Sequence, residues 1–126
     1  MSMNPRAAKL IAAIEGQDEL VMTRYFEDLD RPETCRVCAI GALIRALPPE
    51  KRECCLAFLR ERDINSAYIW NPRLDEVAQI LCDEYRIPRG SLTKIQDVND
   101  FGAHSTDTVG RGARVKQYVR QLAVIL

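Results

Sequence analysis

Histidine is almost missing from this chain: His104 is the only one in 126 residues. A histidine general base therefore has one candidate. Excess charge is missing as well, because 18 Lys and Arg balance 18 Asp and Glu. That balance argues against a polybasic nucleic-acid binder or a polyacidic chain. Glycine and proline, six each, are too few for a fibrous or low-complexity protein. No apolar run approaches the ~20 residues of a membrane span, so no membrane association is expected. The first six residues lack the basic-then-apolar pattern of a signal peptide.

Against those absences stand 47% hydrophobic and 29% charged residues, close to globular averages. The length suits one domain over residues 1–126, large enough to hide about two thirds of the surface an unfolded chain exposes. Five cysteines stand at 35, 38, 54, 55 and 82. An odd number cannot pair completely, and without an export signal reduced thiols in a cytoplasm are expected. Cys54, Cys55 and Cys82 lie in apolar helical patterns and read as core filler.

Apolar spacing and punctuation lay out the chain as helices. Asn4-Pro5 is a cap-then-proline start, and Ala8, Leu10, Ile11 and Ile14 follow before Gly16. A helix is expected over 37–46, stopped by Pro48-Pro49, and Pro49 opens the next. Residues 63–71 form a loop with Tyr68, Ile69 and Trp70. Asn71-Pro72 repeats the cap signal ahead of Leu74, Val77, Ala78, Leu81 and Tyr85, an amphipathic stripe. Ile87-Pro88 stops that helix, and Ser91 caps a short one with Leu92, Ile95 and Val98 inward. Asn99-Asp100-Phe101-Gly102 reads as a turn, and a last helix runs from Ser105 or Thr106 to nearly the end. The expected fold is mainly α: a compact orthogonal bundle of five or six helices. Residues 20–36 are the one place where a short β-hairpin fits.

Cys38-Ala39-Ile40-Gly41-Ala42-Leu43 has the form C-x-x-G-A-L at a helix opening, and Asn99-Asp100 follows about sixty residues later. This pairing resembles a group of small bacterial and phage proteins of unassigned activity. It covers roughly residue 25 to the C-terminus. Val98 stands where many of that group carry an aromatic residue. The resemblance implies a helical domain and a mobile-element or bacterial cytoplasmic origin, and it carries no activity with it.

Several constellations carry candidate chemistry. Cys35 and Cys38 form a C-x-x-C that suits two zinc thiolates, with Cys54 and His104 as further ligands. The second C-x-x-C that usually accompanies such a site is missing, so no cofactor is expected. Cys38, His104 and either Asn99 or Asp100 make a formal thiol-hydrolase or transferase set, in which histidine takes the thiol proton. The plainer readings are that Cys38 packs inward, that His104 is exposed and that Asn99 and Asp100 hold a turn. Gly41 and its small neighbours let another backbone come close. Residues 109–126 carry Arg111, Arg114, Lys116 and Arg120 without an acid, which suits a solvated face, an acidic partner or phosphate contacts. Tyr68, Trp70 and Arg73 are residue types enriched at interface anchors, and they stand together in one loop.

The reading that follows is a small cytoplasmic, non-catalytic protein-binding module. Tyr68, Trp70 and Arg73 are its contacts, and Arg111, Arg114 and Arg120 an electrostatic supplement. On the phage-like resemblance its partner is a host protein, such as a defence component that it modulates or inhibits. A cysteine enzyme using Cys38 and His104 is the rival, and nucleic-acid binding through the basic helix a further one. Exposed aromatics suit a homodimer equally.

Overall fold

Prolines and apolar spacing decide where the helices begin and which face each one buries. The structure, a computed structural model, describes residues 7–22, 24–101 and 106–125. Helix α1 (Ala8–Glu15) buries Leu10, Ala13 and Ile14. In α2 (Ala39–Arg45) every residue up to Ile44 is buried. Pro49 occupies the first position of α3 (Pro49–Glu61), with Glu50 in its first turn, where a negative charge suits the helix dipole. The Asn71 side chain accepts from the Arg73 N–H at 3.0 Å and starts a 3₁₀ turn (Pro72–Leu74) that leads into α4 (Asp75–Tyr85). Helices α5 (Arg89–Asp100) and α6 (Thr108–Ile125) complete the order. The molecule is mainly helical, with six α-helices and no strand among the described residues. No helix there is long and apolar enough to cross a membrane.

Helices α1, α2, α5 and α6 surround the core: α6 lies against α5 and α1, α1 against α2, and α2 against α5. Helices α3 and α4 pack on each other and extend the same core through α2 and α5. Between α1 and α2 the chain makes one antiparallel bridge, Phe26 with Val37, where a hairpin was the expectation. Turns at Asp28–Arg31 and Arg31–Cys35 occupy the space a ladder would need. Arg45 donates to the carbonyls of Pro32 and Cys35, and Arg60 to that of Leu29, fixing this loop on α2 and α3.

Three boundaries differ from the sequence reading. Helix α2 begins at Ala39, because Val37 is engaged in the bridge and Cys38 is extended, with ψ 179°. Helix α5 begins two residues before Ser91 and runs through Asn99 and Asp100, so this pair closes a helix and is not in a turn. The last helix starts at Thr108, where Asp107 Oδ1 accepts the Gly110 N–H at 2.9 Å. Asn4, Pro5, Gly102 and Ser105 lie outside the described residues. Among the cysteines Cys55 is buried and Cys82 partly so, but Cys54 is exposed, since it sits one position off the inward stripe of α3.

Three features lock the helices together. Asn99, buried, accepts from the Ala39 N–H at 2.9 Å and donates to the Val21 carbonyl at 3.0 Å, tying α5 to the start of α2 and to the chain after α1. Arg111, wholly buried on α6, donates to the Asn99 carbonyl at 2.6 Å. Gly41 faces the Tyr25 backbone so closely that an added Cβ would overlap its carbonyl. This supports the small-residue packing expected for Gly41.

Gly41→Ala should therefore destabilise the fold by about 3 kcal/mol, since overlap with backbone cannot be relieved by a rotamer change. Asn99→Ala should cost about the same, because it strands a buried N–H and a buried carbonyl. Urea unfolding of each variant measures both.

Candidate recognition surface and adjoining cleft

The segment between α3 and α4 is pinned by its aliphatic residues and displays its aromatic ones. Ile64 and Ile69 are buried, whereas Tyr68 and Trp70 are 42% and 55% exposed. Both edges of the segment are fastened. On one side Asn65 exchanges hydrogen bonds with Phe26 at 3.1 and 2.7 Å, the Tyr25 N–H reaches the Asn65 carbonyl at 2.7 Å, and the Tyr25 hydroxyl donates to the Ala67 carbonyl. On the other side the Ile69 N–H donates to Gln96 Oε1 at 2.6 Å, and Arg89 donates to the Ile69 carbonyl at 2.9 Å.

The two exposed rings are themselves held. The Tyr68 hydroxyl donates to the Asp97 carboxylate, and this bond pushes the phenol up to about 12. The Arg89 guanidinium, steadied by Asp75 at 2.9 Å, lies 5.4 Å from the Trp70 ring. Tyr68 and Trp70 border a groove of about 400 Å³ against α5, completed by Gly90, Thr93, Lys94 and Asp97.

Tyr68 also borders a second hollow. This cleft, about 310 Å³, is lined by Tyr25, Cys38, Ser66, Tyr68, Gln96 and Asp100. Tyr25 and Cys38, both buried, form its floor, and Ser66 and Tyr68 its rim. Burial pushes the Cys38 thiol up to about 12, with the Asp100 charge adding to that and backbone N–H groups of Gly41 and Ile40 opposing it. Burial likewise raises the Asp100 carboxyl, against the hydrogen bond from Asn99 and the charge of Arg111. A larger hollow, about 450 Å³, lies at the α4–α5 junction among Gln79, Cys82, Asp83, Arg86 and Arg89, and no aromatic side chain lines it.

The structure thus brings together some of the sequence candidates and separates others. Tyr68 and Trp70 share a surface, and Arg73 is exposed in the 3₁₀ turn that follows. Cys38 and Asp100 share the cleft; Asn99 does not line it, because its amide is committed to Ala39, Val21 and Asp100. His104 lies outside the described residues. Arg111 is no surface contact: it follows the buried stripe of Val115, Val119 and Leu122, and burial removes it from any partner. Arg120 is exposed but paired with Glu15 at 2.6 Å, while Arg114 is exposed. Cys35 and Cys38 are partly and fully buried, and Cys54 is exposed. No group of three or more His, Cys, Asp or Glu among the described residues is placed to hold a metal ion.

Sequence reasoning missed Arg89 and Gln96. A signal for Gln96 was present: Leu92, Ile95, Gln96 and Asn99 share one face of α5, so two amides stand on its buried stripe. Amides on such a stripe must find buried partners. No protein-family model, curated sequence or solved structure matches the chain.

At neutral pH the Cys38 thiol is expected to stay protonated and shielded, so iodoacetamide should modify exposed Cys54 first and Cys38 only as the chain unfolds. Peptide mass mapping over a time course checks the order. Rapid selective labelling of Cys38 in the native chain is the contrary result.

Proposed function

We propose that the chain is a protein-binding module whose contact surface is centred on Tyr68 and Trp70. One observation carries this reading: two exposed aromatic side chains stand on a segment hydrogen-bonded along both edges, and each ring has its own restraint. Large rings fixed before encounter lose little conformational freedom on binding, which is a main cost of association. Trp and Tyr are also the residue types that most often dominate interface energetics. The occupant is a folded or extended protein surface with an apolar patch to cover Trp70. On the mobile-element origin that the sequence resemblance implies, it is a host protein, and covering it would modulate that protein.

The cysteine-enzyme reading has one observation in its favour, the shared cleft of Cys38 and Asp100. The protonated thiol weighs against it, and so does the commitment of Asn99 to backbone partners. The nucleic-acid reading loses Arg111, which is buried, and Arg120 engages Glu15, which leaves it Arg114 as an exposed arginine.

Trp70→Ala should leave unfolding within about 1 kcal/mol of wild type, since the ring is largely exposed. It should lower recovery of the partner from lysate by about tenfold or more. Gln117→Ala, at an exposed position of α6, is the control and should recover it normally. Equal recovery by wild type and Trp70→Ala refutes the surface.

A further inference from the structure

We propose that the cleft between Tyr25, Cys38, Tyr68 and Asp100 receives an arginine side chain of the protein bound at Tyr68 and Trp70. This deepens the binding-module reading and rests on it. Three of the cleft's donors are already engaged within the chain. The Tyr25 hydroxyl donates to the Ala67 carbonyl, the Gln96 amide reaches the same carbonyl at 3.4 Å, and the Tyr68 hydroxyl donates to Asp97. The acceptors are less occupied. Asp100 accepts one hydrogen bond among the described residues, from Asn99 Nδ2 at 3.0 Å. Asp97, three positions before Asp100 on the same side of α5, borders the adjoining groove, where it accepts from Tyr68. The cleft lining thus complements a group that only donates, an ammonium or a guanidinium.

Charge points the same way. The buried Arg111 lies near enough to stabilise the Asp100 carboxylate, yet it already donates to the Asn99 and Leu20 carbonyls and to Met22 Sδ. The Asp97 carboxylate, beside the cleft, adds to the negative charge that acts on Asp100. Burial outweighs both Asn99 and Arg111 in setting the Asp100 carboxyl above its ordinary range, the condition a further cation relieves.

Shape selects guanidinium over ammonium. Tyr68, the exposed aromatic of the lining, offers a ring on which a planar guanidinium stacks while its fork reaches a carboxylate. A cleft of about 310 Å³ lies at the small end of ligand pockets, which suits one long side chain. Position supplies the source. Tyr68 borders both cleft and groove, so a protein seated on Trp70 has its next residues at the cleft mouth.

The test is a ¹⁵N amide-shift titration of the full chain with N-acetyl-arginine methylamide. N-acetyl-citrulline methylamide, neutral and nearly the same shape, is the control. The arginine probe should shift the amides of Tyr25, Ser66, Gln96 and Asp100, and the citrulline probe should not. Asp100→Asn keeps an oxygen for Asn99 and should weaken the arginine probe roughly tenfold, the loss of one charge-assisted contact. Ser66→Leu changes an exposed rim position and should block the cleft without disturbing the fold. Equal shifts from citrulline, undiminished binding by Asp100→Asn, or no shifts with arginine each overturn the proposal. If the arginine probe fails while Trp70→Ala still loses its partner, the cleft assignment falls and the aromatic surface stands. If the probe binds while capture is independent of Trp70, the partner's side chain is the wrong occupant.

Discussion

The fold turns on a polar knot at the meeting point of α2, α5 and α6. Arg111 is wholly buried, a position that is costly for a charge unless hydrogen bonds replace water. It is placed against the Asn99 carbonyl in the last turn of α5, where the helix leaves carbonyls unpaired and the dipole is negative. The side chain of the same Asn99 then satisfies the Ala39 N–H at the opening of α2, one of the amides a helix cannot pair internally. One asparagine thus serves two helix ends and the Val21 carbonyl besides. Buried polar groups of this kind discriminate between packings more sharply than apolar contacts do, because a shifted register leaves them unsatisfied.

The knot also fixes the cleft. Cys38 directly precedes the Ala39 amide that Asn99 holds, and Asp100 directly follows Asn99. Both are therefore set in place by a neighbour's bonds as well as by their own. Tyr25 is brought to the floor by the Cys38 N–H, which donates to its carbonyl at 3.1 Å, and by the close approach of Gly41 to that carbonyl. The cleft thus joins the start of α2 and the end of α5 to two irregular stretches, one carrying Tyr25 and the other the Ser66–Tyr68 rim.

Helix type and order were legible in the sequence, since apolar stripes such as Leu74, Val77, Ala78, Leu81 and Tyr85 leave one reading. The ends were less so. Asn99-Asp100 looks like a turn because both side chains satisfy backbone groups locally in many proteins. Here the backbone partners of the Asn99 side chain lie 60 and 78 residues away, and no local pattern reports that. Arg111 misleads for a related reason. Charge suggested a surface, whereas its spacing of four to Val115 and eight to Val119 places it on the buried stripe. Periodicity was the better guide than residue type at this position. Of the site, the aromatic loop was legible from composition alone; the cleft was not, because it joins residues from four separate stretches of chain.

The fates of the arginines explain why a basic segment need not be a basic surface. Arg45 and Arg60 hold the 28–36 loop through backbone carbonyls, Arg89 holds the Tyr68–Trp70 segment, and Arg111 holds the core. Each is engaged by oxygens of the chain itself. A guanidinium presents five donors in a fixed fork and so can fasten irregular backbone that helices and sheets leave unpaired. Irregular backbone is what this fold has between α1 and α2 and between α3 and α4, and the aromatic surface is carried on the second of these. Arg89, which a charge count would have assigned to an external partner, thus joins Asn65, Tyr25, Gln96 and Asp97 in holding the segment that displays Tyr68 and Trp70.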